Sequence, residues 1–298
     1  MPGYEHRMKM PTPSKRPPLH TARPPTYRRR RPQTQARHRA PALAKRPSLR
    51  RVPEVTVYFW ITKILTTAMG EAASDFLVYH INPYIAVGLG ALGLVVALAL
   101  QGAARRYVPW IYWLAVSMVA IFGTMAADVV HIKFGVPYLV STVFFAVVLA
   151  GVFLTWYATE RTLSIHSVFT FRPEAFYWVT VMTTFALGTA AGDMTAFTLH
   201  LGFFLSGMMF VGLIAVPAVA YRLFGLNEVV AFWFAYILTR PLGASFADWM
   251  GKPTSLGALG WGDLVVVAGL TILIIGFVRY LTVTHVDAAQ AESLTRAS

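Results

Sequence analysis

The chain has 298 residues, of which 56% are hydrophobic and only 13% charged, where a soluble domain carries about 25% charged residues. The formal net charge of +13 belongs to one end: residues 1–56 hold 15 of the 26 Lys and Arg and 2 of the 13 Asp and Glu, so the rest balances at 11 basic and 11 acidic groups. These numbers argue against a soluble globular fold and a basic nucleic-acid-binding fold, and the absence of Cys rules out disulfides, thiolate metal sites and Cys nucleophiles.

Residues 1–56 also hold 11 of the 18 prolines, with Pro17-Pro18, Pro24-Pro25 and the run Arg28-Arg29-Arg30-Arg31. Low hydrophobicity and like charge predict a disordered basic tail. No apolar stretch precedes a small-residue cleavage site, so the tail does not read as a secretory signal. Three readings stay open. One is a cytoplasmic tail that fixes orientation and touches anionic lipid. Another is an extension upstream of the true start. The third is a nucleic-acid-binding arm, which lacks aromatic interleaving. No specific nucleic-acid binding is expected.

From Val57 the chain breaks into eight apolar stretches near the ~20 residues needed to cross a bilayer. They fall at 57–77, 84–101, 110–131, 137–158, 175–198, 201–222, 229–249 and 262–284. The breaks carry turn and charge signals: Asn82-Pro83, Arg105-Arg106, Gly135 with Pro137, Glu160 to Pro173, Gly225 to Glu228 and Gly251 to Gly262. The weakest break is 198–202, marked by His200 and Gly202 alone. At this length and apolarity helices are the spanning form. The predicted fold is therefore all-α, a polytopic membrane domain over 57–284 with a short cytoplasmic tail at 285–298. If the basic tail is cytoplasmic, inner loops carry Arg105, Arg106, Arg161, Arg172, Arg222 and Arg279, and outer loops carry Lys133 and Lys252. Six against two predicts both termini in the cytoplasm and a multi-pass location in the cell inner (plasma) membrane.

The chain repeats itself. Trp60, Gly70 and Asp75 recur as Trp113, Gly123 and Asp128, as Trp178, Gly188 and Asp193, and as Trp233, Gly243 and Asp248, always spaced Trp-x9-Gly-x4-Asp. An aromatic residue precedes each Trp (Phe59, Tyr112, Tyr177, Phe232), and a small one precedes each Asp (Ser74, Ala127, Gly192, Ala247). Each repeat is a motif helix followed by a plain apolar helix, with bounds near 57–101, 110–158, 175–222 and 229–284. Two spans per repeat send all four into the membrane in the same direction, which makes them parallel rather than inverted repeats.

This pattern resembles a family of uncharacterised bacterial integral membrane proteins built of four tandem two-helix repeats that share a tryptophan. The stretch Val-Pro-Glu-Val-Thr-Val-Tyr-Phe-Trp at 52–60 and the run Lys63-Ile64-Leu65-Thr66-Thr67, with Gly70-Glu71 after it, look typical of it. The resemblance covers about 55–284. It implies an integral membrane location, in keeping with a bacterial inner membrane, and brings no activity, substrate or catalytic residue with it.

The four Trp lie near the start of their helices and are expected as interface anchors. Gly70, Gly123, Gly188 and Gly243, each with a small residue four later, are expected to let helix backbones approach closely. Each Asp lies roughly 22 Å along its helix from the Trp. Asp75, Asp128, Asp193 and Asp248 then share one depth, in the outer half of a core about 30 Å thick. Two readings compete. The carboxylates either pair with following basic groups (His80, His131, Lys133, His200, Lys252) or form one cation or proton site around a shared axis. Lys63, Glu71 and Arg240 are charges inside apolar spans, and such charges are functional candidates. Glu71 lies on the same helix face as Asp75. Such a pair suits a shared proton or a hard cation such as Mg²⁺ or Mn²⁺, and Lys63 or Arg240 is placed to neutralise it.

The histidines show no metal-ligand spacing, and P-loop, Gly-x-Ser-x-Gly and His-Glu-x-x-His signatures are absent. No catalytic residue and no cofactor is expected, and the metal is unknown. The leading expectation is a secondary transporter or permease for a small solute or cation, coupled to protons through intramembrane carboxylates. A membrane enzyme or a lipid-, quinone- or cofactor-binding protein remains an alternative, as does a non-catalytic scaffold. The partners expected are the lipid bilayer, an unknown solute or cation, and a second copy in a homo-oligomer.

Overall fold

Local signals set where each helix starts and stops. The computed structural model of the protein describes residues 51–287, so the disorder expected of 1–50 and the readings of 288–298 lie outside the described residues. Eight long helices follow in order: α1 Val57–His80, α2 Pro83–Ala103, α3 Pro109–Asp128, α4 Tyr138–Glu160, α5 Phe171–Asp193, α6 Gly202–Phe224, α7 Glu228–Gly251 and α8 Asp263–Thr284. Thr56 caps α1 by accepting the Phe59 N–H at 3.3 Å, while Asn82 and Asn227 cap α2 and α7 through their side chains. Pro83 and Pro109 fill first-turn positions, where a missing N–H costs nothing. The weak break at 198–202 is a tight reversal through His200 and Gly202, with φ of 55° and 70°. Gly takes that left-handed backbone freely.

α1, α3, α5 and α7 form a closed ring in which each packs on the next and α7 returns to α1. The second helix of each repeat packs chiefly on the first helix of the following one: α2 on α3, α4 on α5, α6 on α7 and α8 on α1. The four repeats thus interlock around one axis. Their glycines let the ring close. A Cβ on Gly70 would strike Ala120, on Gly123 Phe185, on Gly188 Arg240, and on Gly243 Thr67. Every residue struck lies seven after the Trp of the next repeat, so one close contact is made four times.

Gly243 gives a direct check. An added Cβ there would stand 2.8 Å from Thr67 Cβ and 2.9 Å from the Ala68 backbone nitrogen, while one on Gly212 meets nothing within 4 Å. Gly243→Ala is expected to lower stability in detergent by about 1–3 kcal/mol through overpacking, whereas Gly212→Ala leaves it level or raises it. Thermal unfolding of the two variants decides this, and equal midpoints would contradict the ring contact.

This is an all-α polytopic membrane protein. Six helices combine the length and hydropathy of a membrane span: α2, α3, α4, α6, α7 and α8. α1 and α5, with 24 and 23 residues, are as long but more polar, carrying Lys63, Glu71 and Asp75 or Glu174 and Asp193. Their polar residues are tolerated because ring helices touch protein on most sides. The apolar windows of α2, α4, α6 and α8 are only 17–28% buried, against 61% for α3 and 50% for α7. The outer helices therefore present the lipid-facing surface.

Two expectations are corrected. Trp113, Trp178 and Trp233 are buried, so these three are not lipid-facing interface anchors, while Trp60 is half-buried. A Trp on a ring helix has neighbours rather than lipid around it. The four rings pack with Phe59, Tyr112, Tyr177, Phe232 and Tyr236 into an aromatic layer, and Trp233 Nε1 donates to Leu163 O at 2.9 Å. In addition, Arg51–Thr56, assigned by composition to the tail, is packed on the body. Arg51 pairs with Glu174, Gln101 Nε2 donates to Arg51 O at 3.1 Å and to Glu174 Oε1 at 3.2 Å, and Val52 joins the core.

Candidate functional site: a charged column inside the helix ring

Steps of four residues along each ring helix return to nearly the same face. Counting from each Trp, the third residues are Lys63, Val116, Val181 and Tyr236; the seventh, Thr67, Ala120, Phe185 and Arg240; the eleventh, Glu71, Thr124, Thr189 and Ala244. All twelve are buried. The fifteenth are the four Asp. The interior of the ring is therefore a column of layers. It runs from the aromatic layer at the Trp end to the carboxylates at the Asp end.

At the Trp end the column is closed. Tyr112 and Tyr177 hydroxyls meet at 2.5 Å, and the Phe59 ring lies 6.1 Å from Phe232 and 6.4 Å from Tyr236. One layer further in, Lys63 Nζ stands over the rings of Phe185 and Tyr236, 4.0 and 4.4 Å from their centroids. Lys63 does not neutralise Glu71.

Arg240 does. Its Nη2 donates to Glu71 Oε2 at 2.5 Å, to Thr189 Oγ1 at 2.7 Å and to Thr124 Oγ1, and Nη1 donates to Thr67 O at 3.3 Å. One guanidinium on α7 thereby ties α1, α3 and α5 together. The planar fork of Arg suits this; Lys has no such geometry. Arg240 is fully buried and Glu71 nearly so. Arg240 Nε alone of its nitrogens has no hydrogen-bond partner among the described residues. A buried pair held by this many bonds braces the structure, while a lone buried charge is costly.

Beyond this brace come the four Asp. Lys252, just past α7, donates to Asp75 of α1 and lies 3.9 Å from Asp248 Oδ1 of its own repeat. Burial opposes the charge on Lys252, but Asp248 and Asp75 outweigh it, so its pKa lies above the ordinary value. A raised pKa in the folded state makes a stabilising contribution that is complete below the ordinary ~10.4 and is lost only as pH rises through the folded value. The bridge is thus intact at neutral pH. Oxygens of Glu71, Asp75 and Asp248 lie within 4.8 Å of one another, a spacing compatible with oxygen ligation of a hard cation.

Asp128 and Asp193 are different. Neither has a hydrogen bond or an ion pair among the described residues, and both are partly exposed. Each is followed by a π-helical turn, Val129–Lys133 and Met194–Thr198, where α1 and α7 stay α-helical past their Asp. The histidines do not neutralise them. His131 Nδ1 pairs with Ser141 Oγ at 3.1 Å, His80 Nδ1 with Phe76 O at 2.9 Å, and His200 is exposed on the reversal. Of the five basic residues weighed as partners for the four Asp, Lys252 alone has an ion pair to one of them among the described residues.

The column also contains residues that the sequence did not single out. Thr124 and Thr189 complete the shell of Arg240, and Phe185 and Tyr236 hold Lys63. Their signal lay in the repeat register: the eleventh position is polar in three repeats of four. Two lateral hollows, about 990 Å³ between α1, α6 and α7 and about 550 Å³ between α3 and α8, are lined by none of the charged residues of the column.

The family known as Repeat of Unknown Function (DUF347) matches four segments, 58–107, 111–162, 176–225 and 231–287. Each segment takes in one ring helix and its outer helix. No curated protein and no solved structure matches the chain. The chain belongs to this repeat family.

Proposed function

We propose that the protein is a secondary transporter for a small cation, with the helix ring as the path and the four Asp as its mouth. One observation carries this reading. Glu71 and the four Asp place five carboxylates around one axis, with Arg240 and Lys252 as their paired cations, and Asp128 and Asp193 are unpaired among the described residues and partly exposed. Carboxylates at membrane depth are costly and accumulate where they handle ions. A ring of them concentrates cations at a pore mouth.

The chemistry divides by depth. Asp128 and Asp193 attract a hard, hydrated cation. Asp75, Asp248 and Glu71 offer oxygen ligands behind them, and Lys252 and Arg240 hold those ligands until a cation replaces the tethered charge. Arg240 bars the way further in, so passage requires the Arg240–Glu71 brace to open. The loop charge asymmetry supports a reading with both termini in the cytoplasm of a bacterial cell, the Asp end outside and the inner membrane as the location.

The test is flux in proteoliposomes with Mn²⁺, Mg²⁺, K⁺ and Na⁺ as probes. Asp128→Asn with Asp193→Asn is expected to cut flux of the transported ion by at least tenfold, the equivalent of about 1.4 kcal/mol, while thermal stability stays near the parent's. Neither residue has a partner to lose among the described residues. Parent-like flux in the double variant would remove the Asp mouth from the path, and no flux of any probe through the parent would remove the transport reading and favour a scaffold.

A further inference from the structure

Lys63 is a primary amine buried to 1% exposure whose Nζ has no hydrogen-bond partner among the described residues. An ammonium carries three donors. Here two aromatic faces stand in for acceptors. The Phe185 ring is shared: Arg240 Cζ lies 5.2 Å from the centroid that Lys63 Nζ approaches at 4.0 Å. Two basic side chains thus meet on one ring, and Glu71, two layers further along the same helix, is held by Arg240.

The surrounding elements supply no counter-charge. At this level α3 presents Val116 and α5 presents Val181 and Phe185. α7 presents Tyr236 and Arg240, and Tyr112 and Tyr177 lie one turn toward the Trp end. α8 has no ionisable group between Asp263 and Arg279. Arg240 is the charged group that shares an aromatic ring with Lys63. A guanidinium keeps its charge in proteins, whereas a buried lysine can exchange its proton.

We propose that Lys63 carries the proton that couples to cation movement through this column. When a cation enters beyond the Asp ring, the ammonium becomes an amine and one proton passes to water on the side then open. When the cation leaves, the amine takes one proton back. The charge that Lys63 gives up offsets that of a monovalent cation in full and half that of a divalent one, so less positive charge accumulates beside Arg240. The other repeats carry Val116, Val181 and Tyr236 at the equivalent position, so the device exists once per chain. This inference rests on the transport reading and assigns its coupling to an amine rather than to the carboxylates.

The experiment uses the full chain in proteoliposomes, with Mn²⁺ and K⁺ as probes and an imposed pH gradient. Lys63→Arg keeps a charge that cannot leave, and Lys63→Met has none; each is checked for folding by thermal unfolding, so one stands in if the other fails to fold. In the parent the gradient is expected to speed flux several-fold, and cation addition to detergent-solubilised protein should release protons to a pH dye. Both variants are expected to lose the gradient effect and to release one proton fewer per cation. If they keep the parent's gradient dependence and proton release, the inference fails and the transport reading stands. If no probe cation crosses in the parent, both fall.

Discussion

Replacing Glu71 by Ala is expected to cost about 3–5 kcal/mol of stability, the range for stripping one partner from a buried ion pair. The guanidinium of Arg240 would keep Thr124, Thr189 and the Thr67 carbonyl but lose its only paired carboxylate among the described residues. Arg240→Met should cost a similar amount, because it leaves Glu71 charged between Asp75 and Asp248. The double replacement Glu71→Met with Arg240→Met is expected to cost clearly less than the two single ones added, since no lone charge remains. Unfolding of the three variants in the same detergent measures the coupling. Additive losses would mean that the pair does not act as a unit and that Arg240 braces the ring through its hydroxyl partners alone.

The second large effect is expected at Lys252. Its ammonium joins Asp75 on α1 to Asp248 on α7, the two helices that close the ring. Lys252→Met would leave two close carboxylates facing each other with Glu71 behind them, and like charges at this range repel strongly. A loss of about 2–4 kcal/mol is expected, in line with other broken charge pairs that are not fully buried. Added Mg²⁺ or Mn²⁺ should restore part of the loss by supplying the missing positive charge, and should do little for the parent. The melting temperature of each protein, measured with and without the ion, checks this. A variant that melts like the parent and ignores the ion would deny Lys252 a part in holding the Asp end.

The sequence showed the frame well. Eight helices, the parallel repeats and the turn at 198–202 follow from apolar length, charge and the Trp-Gly-Asp register, because those features determine helices one at a time. The partners of those helices are harder to see. α1 and α5 are less apolar than the six other long helices, and their polar residues are tolerated because they face other helices rather than lipid. The four Trp look like interface anchors for the same reason: position along a helix is legible, but which side faces protein is not. Gly243 reads as a packing residue, yet that it packs on Thr67 of the first repeat follows from ring closure, a property of all four repeats together. Likewise the pairing of Arg240 with Glu71 spans 169 residues. Charge counting presents Lys63 and Arg240 as equal candidates, and the geometry of the ring separates them.

The chain has no Cys, so a single introduced thiol can report on the column without background. Thr189 lies behind the Asp ring and against Arg240, with 1% exposure. In Thr189→Cys, a membrane-impermeant cationic thiol reagent added from the Asp side should react, the transported cation should slow that reaction, and flux should stop once the thiol is modified. Full modification with flux unchanged from the unmodified variant would contradict a cation path through the ring.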